Sequence, residues 1–557
     1  MTEKPTSLAS QPAKPPQPKL SCGVDADSVL KQLGQAGRFH LRVYVLVAFA
    51  AVQVGLLHTT YIFLAGDVPY RCVIPECEAP NSTEFYPKWL PSRAVDVDLR
   101  TRRCMRARPA DEGACHAEGF GEHLELCDQW LYASKDTIVA EFNLACQEWK
   151  RTLVGTIHNI GMLVSLPILG YISDRWGRKR ALILSCTLVG AIGTLKAFSV
   201  SYEMYVIIEF LETIAGASAF PAAYILTIEL LGQDKRVLTT AFLGIVLVIG
   251  GLSFALLAKT FSYWRTFILI AYPPSLLFLS YIYLLPESIR WLLSKGRKEE
   301  AVEIIMRAAK MNKVTLSEET MRQLTEEKVK PIDEKTESKE NEGLWMQVVR
   351  SPIIMTRLAI CSWWWITCTF VFYGLAINSV SLAGDKYTNY MLVVSVEVIA
   401  VVTNALVLDK FGRKRTLLVA YTVCGIACVA ITFVPSTMAW LATLLYLLGK
   451  IAITQAFSGI YMYTSELFPT HARHSLLGFC SMVGRIGSIV APQMPLLAIY
   501  VSWLPSVLFG ATALVAGALM LTTPETLNTR LPDTIAEAEQ LARPRRMFES
   551  NQMTSRC

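Results

Sequence analysis

Charge is scarce in this chain. Asp, Glu, Lys and Arg make up 18 % of its 557 residues, against 52 % hydrophobic ones, and the mean hydropathy is +0.37. A soluble chain of this length could not cover its surface from so small a polar share. The motifs of hydrolytic and nucleotide chemistry are missing too. There is no HExxH, no GxSxG and no phosphate-binding glycine loop, so neither an enzyme activity nor a cofactor is expected. No CxxC pair occurs among the fourteen cysteines, which leaves a metal centre without a ligand set to start from. The net charge of +7 is no nucleic-acid footprint, because the basic residues sit in short loops between apolar segments rather than in one patch. Residues 1–38, rich in Pro and Lys, lack the apolar core of a cleaved leader and read as a disordered cytosolic tail.

What the chain has is long apolar stretches, twelve of them, and a helix of about 20 residues crosses the ~30 Å hydrocarbon core of a bilayer. Six run over residues 41–64, 152–172, 181–200, 204–228, 237–257 and 264–285, and six over 353–377, 390–408, 416–435, 438–463, 476–494 and 503–521. Both sets carry the same loop signatures at a nearly constant offset. GYISDRWGRKRALIL at 170–184 returns as LVLDKFGRKRTLLV at 406–419; Glu229 and Arg236 answer Glu466 and Arg473; Pro286-Glu287-Ser288 answers Pro524-Glu525-Thr526. The pattern predicts an all-α integral membrane protein of two six-helix pseudo-repeats, 39–285 and 352–522, with a linker at 286–351 and a tail at 523–557. Parallel repeats of this kind are the construction of alternating-access carriers, whose site lies between the halves near the bilayer midplane.

With twelve crossings, the two Gly-Arg-Lys-Arg loops and the turns at 233–236 and 470–474 fall on one side. The positive-inside rule makes that side the cytosol, with both termini, and the expected setting is a plasma membrane. The opposite loop, 66–150, holds Cys72, Cys77, Cys104, Cys115, Cys127 and Cys146 beside an Asn-Ser-Thr sequon at Asn81. An even cysteine count next to a sequon reads as a disulfide-stapled, glycosylated loop; which of the fifteen pairings is used stays open. In the linker, Ala301, Ile304, Ile305 and Ala308 share a face of an amphipathic surface helix, and 325–342 is a charged, solvated connection.

Two sets of residues carry chemistry. In each Gly-Arg-Lys-Arg loop the glycine closes a tight turn, and the preceding Asp174 or Asp409 is placed to pair with Arg178 or Arg413 and to face a helix N-terminus. With Glu229, Arg236, Glu466 and Arg473 they are candidate gates that form on one side when the other opens. Within the apolar stretches, a charge costs about 2.5–3.5 kcal/mol at the helix centre and therefore faces a cavity or another charge. Five residues stand out: Glu209, Glu212, Glu397, Lys450 and Arg485. Glu209 and Glu212 share a helical face, either as a structural pair with a basic partner or as the site that couples sodium or protons. Glu397 and Arg485 fall near the middle of their segments; together they suit a zwitterion with separated ammonium and carboxylate, or an internal bridge broken during the cycle. Trp364 and Tyr373, among the aromatics of the seventh segment, could hold an alkylammonium by cation–π attraction of about 0.5–2 kcal/mol. His58 and His158 read as helix–helix hydrogen-bond partners.

These residues resemble a known family. GYISDRWGRKR is similar to the signature of the major facilitator superfamily, and PESIRWLLSKGRKEEA resembles its organic cation/carnitine and organic anion transporter branch. The six-cysteine loop ending DTIVAEFNLACQEWKR, the YTSELFPT run and the terminal PETLNTRLPDTIAEAE fit the same branch, over residues 39–539. The resemblance implies the major facilitator fold of twelve transmembrane helices and a carrier of small organic cations or zwitterions. Glu397 matches the acid of cation and carnitine members in the eighth helix, and Arg485 stands where anion and carnitine-type members are basic, which points to the carnitine-type subgroup. Glu209 and Glu212 depart from the pattern, since many relatives carry an arginine in the fourth helix. The rival readings are an organic anion exchanger resting on Arg485 and Lys450, and a non-transporting membrane sensor.

Overall fold

A computed structural model describes residues 26–34, 37–78, 84–90, 104–109, 115–116, 119–231, 236–317, 320–322, 346, 348–470, 472–527, 529, 532 and 535–540. Asn81 and the stretch 325–342 lie outside them, as do the outer ends of both tails. The first six spanning helices are α1 (Arg38–Leu64), α2 (Glu148–Trp176), α3 (Arg178–Lys196), α4 (Tyr202–Leu231), α5 (Arg236–Thr260) and α6 (Trp264–Leu284). The second six are α7 (Pro352–Ser381), α8 (Lys386–Phe411), α9 (Arg413–Ile431), α10 (Ser436–Leu467), α11 (Arg473–Tyr500) and α12 (Leu504–Met520). Ten of these are long and apolar enough to cross a membrane by themselves; α3, which opens on Arg-Lys-Arg, and the 17-residue α12 complete the two sets.

Local chemistry sets the ends. The Ser201 side chain accepts the Met204 N–H at the start of α4, and Ser351 accepts that of Ile354 at the start of α7, where Pro352 occupies the first turn. Asp385 does the same for Thr388 at the start of α8. The helices overrun the apolar stretches because polar tips extend past the hydrocarbon: α2 begins with Glu148, whose carboxylate pairs with Arg151 at 2.7 Å. Pro492 and Pro495 divide α11 into an α-helix to Val490, a 3-10 turn Ala491–Gln493 and a last helix Met494–Tyr500 without ending the span, since each sits in the first turn of its segment, where no N–H is needed.

The loop before α2 is held by three disulfides, Cys72–Cys127, Cys77–Cys115 and Cys104–Cys146. Two small antiparallel pairs frame it, β1 (Tyr70–Cys72) with β4 (Trp130–Tyr132) and β2 (Met105–Pro109) with β3 (Phe120–Leu126). On the opposite face the helix Lys298–Asn312 buries Ala301, Ile305 and Ala308 in one cluster with Val29 and Leu30 of the short helix Ala26–Gln32. The Asn312 amide donates to the Leu33 carbonyl and accepts from the Phe39 N–H, which ties that helix to the foot of α1.

The halves meet along two seams, α2 against α11 and α5 against α8. The joints between them lie toward the disulfide side. Thr59 and Tyr390 hydroxyls are 2.7 Å apart, Thr152 donates to Gln493 at 3.0 Å, Gln493 donates to Thr156 at 2.6 Å, and Lys259 pairs with Asp385 at 3.1 Å. Phe63 packs its ring on Tyr387 and Tyr390. A cleft of about 610 Å³ remains at this end, with Tyr61, Thr152 and Gly155 in its wall.

Candidate functional site

The duplicated loops fold into duplicated clusters. Gly177 and Gly412 each turn the chain between two helices at φ +107° and +96°, a conformation closed to residues with a Cβ, and an added Cβ would lie 2.2 Å from Glu287 Oε2 or 2.5 Å from Glu525 Oε2. Those two glutamates sit on the helix N-termini that follow. Glu287 Oε1 accepts the Lys179 N–H at 2.9 Å, and Glu525 Oε1 accepts the Arg413 N–H at 2.9 Å. Burial pushes the Glu287 carboxyl up from the ordinary carboxylate range, against the pull of the N–H donors. Sequence reasoning placed Asp174 and Asp409 at these N-termini, and the structure corrects it: both aspartates are 72 % exposed and among the described residues pair only with the arginine one turn on, Arg178 at 2.5 Å and Arg413 at 3.0 Å. The longer glutamates arrive from the chain after α6 and α12 and fill the place first. Their Pro-Glu-Ser and Pro-Glu-Thr echo was the available signal.

Each arginine, at the start of α3 or α9, then reaches across to the next helix, α4 or α10. Arg178 lies 3.5 Å from Glu229, and Arg413 lies 3.3 Å from Glu466, which also accepts the Thr526 hydroxyl at 2.5 Å. Both clusters stay within their own half. Arg473 does not join the second one: it bonds to the Phe468 carbonyl and the Thr470 hydroxyl. Arg236 opens α5, and its side chain lies outside the described residues.

In the second half, Lys450 on α10 is fully buried and pairs with Glu397 on α8 at 2.9 Å. Its ammonium also donates to the Phe372 carbonyl at 3.2 Å and lies 3.4 Å from the centre of the Phe372 ring. From that ring an aromatic line runs toward α11. Phe372 contacts Tyr373 (5.3 Å between ring centres) and Phe457 (5.4 Å), and Phe457 contacts Tyr461 (5.9 Å). Tyr373 hydrogen-bonds across the seam to His58 Nε2 at 3.1 Å. Arg485, half-buried on α11, acts electrostatically on both His58 and Tyr461 and forms no ion pair among the described residues. Glu397, Lys450, Phe372 and Tyr373 therefore make one continuous, aromatic-lined region that meets the first half at His58, and Arg485 acts on it from α11.

Trp364 is not part of it. Its ring is fully buried, Nε1 donates to the Ala516 carbonyl on α12 at 3.0 Å, and it packs on Tyr463. The indole faces the interior of its own half because a buried N–H takes the partner within reach. Phe457 and Tyr461 hold the place instead. They follow Lys450 by seven and eleven positions, the period of one helical face, and that spacing could have found them.

The remaining pair, Glu209 and Glu212, is withdrawn from this region. Both carboxylates meet Lys196 of α3, at 2.7 and 2.5 Å, and Glu209 also lies 2.7 Å from His158 Nδ1 of α2. The Tyr272 hydroxyl closes the cluster, accepting from Lys196 at 3.0 Å and donating to Glu212 at 3.3 Å. Lys196 falls inside the apolar stretch 181–200 and is a sixth intramembrane charge that the sequence displayed.

Comparison with known proteins places this architecture. The Major Facilitator Superfamily pattern matches residues 137–492. An organic cation transporter protein of Drosophila melanogaster is 31 % identical over 93 % of this chain and 95 % of its own. The human organic cation/carnitine transporter 2 is 30 % identical over 92 % and 93 %, and mouse solute carrier family 22 member 3 is 29 % identical over 92 % and 96 %. Among solved structures, the proton:xylose symporter XylE shares the fold with a TM-score of 0.56 at 17 % identity, covering 90 % of this chain and 99 % of that one. The chain belongs to the major facilitator superfamily, in the branch of the organic cation and organic cation/carnitine transporters, and is a membrane transporter rather than an enzyme.

Proposed function

We propose that the protein carries small organic cations and zwitterions across the plasma membrane by alternating access. The observation that carries this reading is the aromatic-lined region that holds the Glu397–Lys450 pair and on which Arg485, without an ion-pair partner among the described residues, acts from α11. A substrate ammonium competes with Lys450 for Glu397 and for the faces of Phe372 and Tyr373, while a carboxylate turns to Arg485. The names of the Drosophila and human relatives agree with such a substrate. In this reading the six-cysteine loop faces outside, with Asn81 as its glycosylation site, and the Gly-Arg-Lys-Arg loops and both termini face the cytosol.

The joints of the two seams then describe a state closed to the outside, which must break Thr59–Tyr390, Thr152–Gln493 and Lys259–Asp385 to open. The clusters around Arg178 and Arg413 brace the loops on the cytosolic side of each half and serve as gate supports. Glu209 and Glu212 are the residues for ion coupling; held by Lys196 and out of the substrate region, they offer a proton site more readily than a sodium cage, which needs several open oxygen ligands.

The test is uptake of radiolabelled tetraethylammonium, carnitine and para-aminohippurate by cells of low background, with surface expression measured alongside. Saturable uptake of the first, the second or both is the expected result. Aminohippurate transport alone would overturn the cation assignment, and no uptake by a surface-expressed protein would sink the reading.

A further inference from the structure

The cluster around Lys196 has an unbalanced charge count. It holds one ammonium and two carboxylates, at 0 %, 0 % and 4 % side-chain exposure. A net negative charge is strongly disfavoured in such a place, so the cluster is stable with one further proton. The proton-binding side chain beside it is His158, whose Nδ1 faces Glu209 and Thr213 and whose Nε2 is buried without a hydrogen-bond partner among the described residues. That open nitrogen leaves the network unclosed at His158, with a position for one more proton.

The surroundings supply a route and a lever. The Tyr61 ring is 4.9 Å from His158 and also lines the cleft on the disulfide side. The His58 ring is 6.0 Å from His158 and bonds to Tyr373 in the other half. The ionisable groups facing His158 are therefore Glu209 and Glu212 of α4, Lys196 of α3, Tyr61 and His58 of α1 and Tyr272 of α6, with Arg485 of α11 acting through His58. A charge on His158 is felt at the His58–Tyr373 joint, which the halves must break to rock.

We infer that His158, Glu209, Lys196 and Glu212 form a single-proton site whose loading is coupled to the movement of the halves, so that transport carries a proton dependence. The inference rests on the transport reading and deepens it. Full-length protein in liposomes, with the membrane potential clamped by potassium and valinomycin, is assayed for uptake of the probes named above, from about pH 5.5 to about pH 8.5 outside. The wild-type rate is expected to change about fivefold or more over this range. In His158→Gln it should change less than about 1.5-fold, with KM at neutral pH within about twofold of wild type. Glu212→Gln, which fixes the protonated shape of that carboxyl, should flatten the profile in the same way. A flat wild-type profile, or a His158→Gln profile with the wild-type slope, overturns the inference.

If no probe moves, the transport reading fails separately. The proton site is then decided by the melting temperature of the purified full chain across the same pH range. A difference between wild type and His158→Gln that changes with pH supports the site, and a constant difference overturns it.

Discussion

Replacing Lys450 with Met removes the one cation that Glu397 meets among the described residues and keeps the side-chain volume nearly unchanged. The structure sets two consequences. For stability, the Phe372 carbonyl and one Glu397 oxygen lose a charged donor, an interaction of about 1.5–3 kcal/mol when buried. Glu397 keeps 19 % side-chain exposure and can draw water, so the loss stays at the lower end and the variant should reach the surface. For selectivity, a unit positive charge disappears about 6 Å from a bound organic ion. At an effective dielectric of about 40, between protein and water, that is worth ~1.4 kcal/mol, or roughly tenfold. KM for tetraethylammonium should fall about tenfold and that for an organic anion competitor rise about tenfold, shifting their ratio by about a hundredfold. Concentration-dependent uptake and inhibition, corrected for surface protein, measure both. An unchanged ratio in a well-expressed variant would place Lys450 outside the substrate region and refute the arrangement drawn from Phe372.

Other outcomes follow from single contacts. Gly412→Ala forces a Cβ to within 2.5 Å of Glu525 Oε2 at a positive φ; a loss of about 1–3 kcal/mol should show as a lower melting temperature in detergent and reduced uptake. The pair Thr152→Cys with Gln493→Cys, at positions whose native side chains meet at 3.0 Å, should be joined by a short bifunctional methanethiosulfonate linker that spans the length the glutamine loses, arresting transport until a reductant is added, and transport unaffected by the crosslink would contradict movement along this seam. Asp385 is held below its ordinary range by hydrogen bonds from Thr388 and Lys259. Its contribution is present above that range and lost only as pH falls below it, so Asp385→Asn should lower the melting temperature equally at about pH 5.5 and about pH 8.5.

How much of this could be read from the residues depended on what kind of feature was asked for. The twelve spans and the two-fold repeat were legible, because apolar run length is set by the bilayer and the loop signatures are contiguous. Arg178 beside Asp174 and Arg413 beside Asp409 were legible as one-turn pairs. Partners brought together by packing were not: Glu287 reaches the N-terminus at Lys179 across more than a hundred positions, and nothing in the loop itself predicts that it outcompetes Asp174. Trp364 failed as a cavity residue for a related reason, since three consecutive tryptophans on a helix point in different directions and only the position of α12 decides which is interior. Lys196 was visible as a charge in an apolar stretch, but its closure with Glu209 and Glu212 needed the approach of α3 to α4.

The most direct test of the account is carnitine against tetraethylammonium uptake in wild type and Arg485→Ala at equal surface expression. The account predicts that carnitine uptake is lost, because among the described residues its carboxylate meets no other cation without an ion-pair partner in the region, while tetraethylammonium uptake survives within a few-fold of wild type. A parallel fall of both substrates, or carnitine uptake that persists without Arg485, would contradict a substrate held between Glu397 and Arg485.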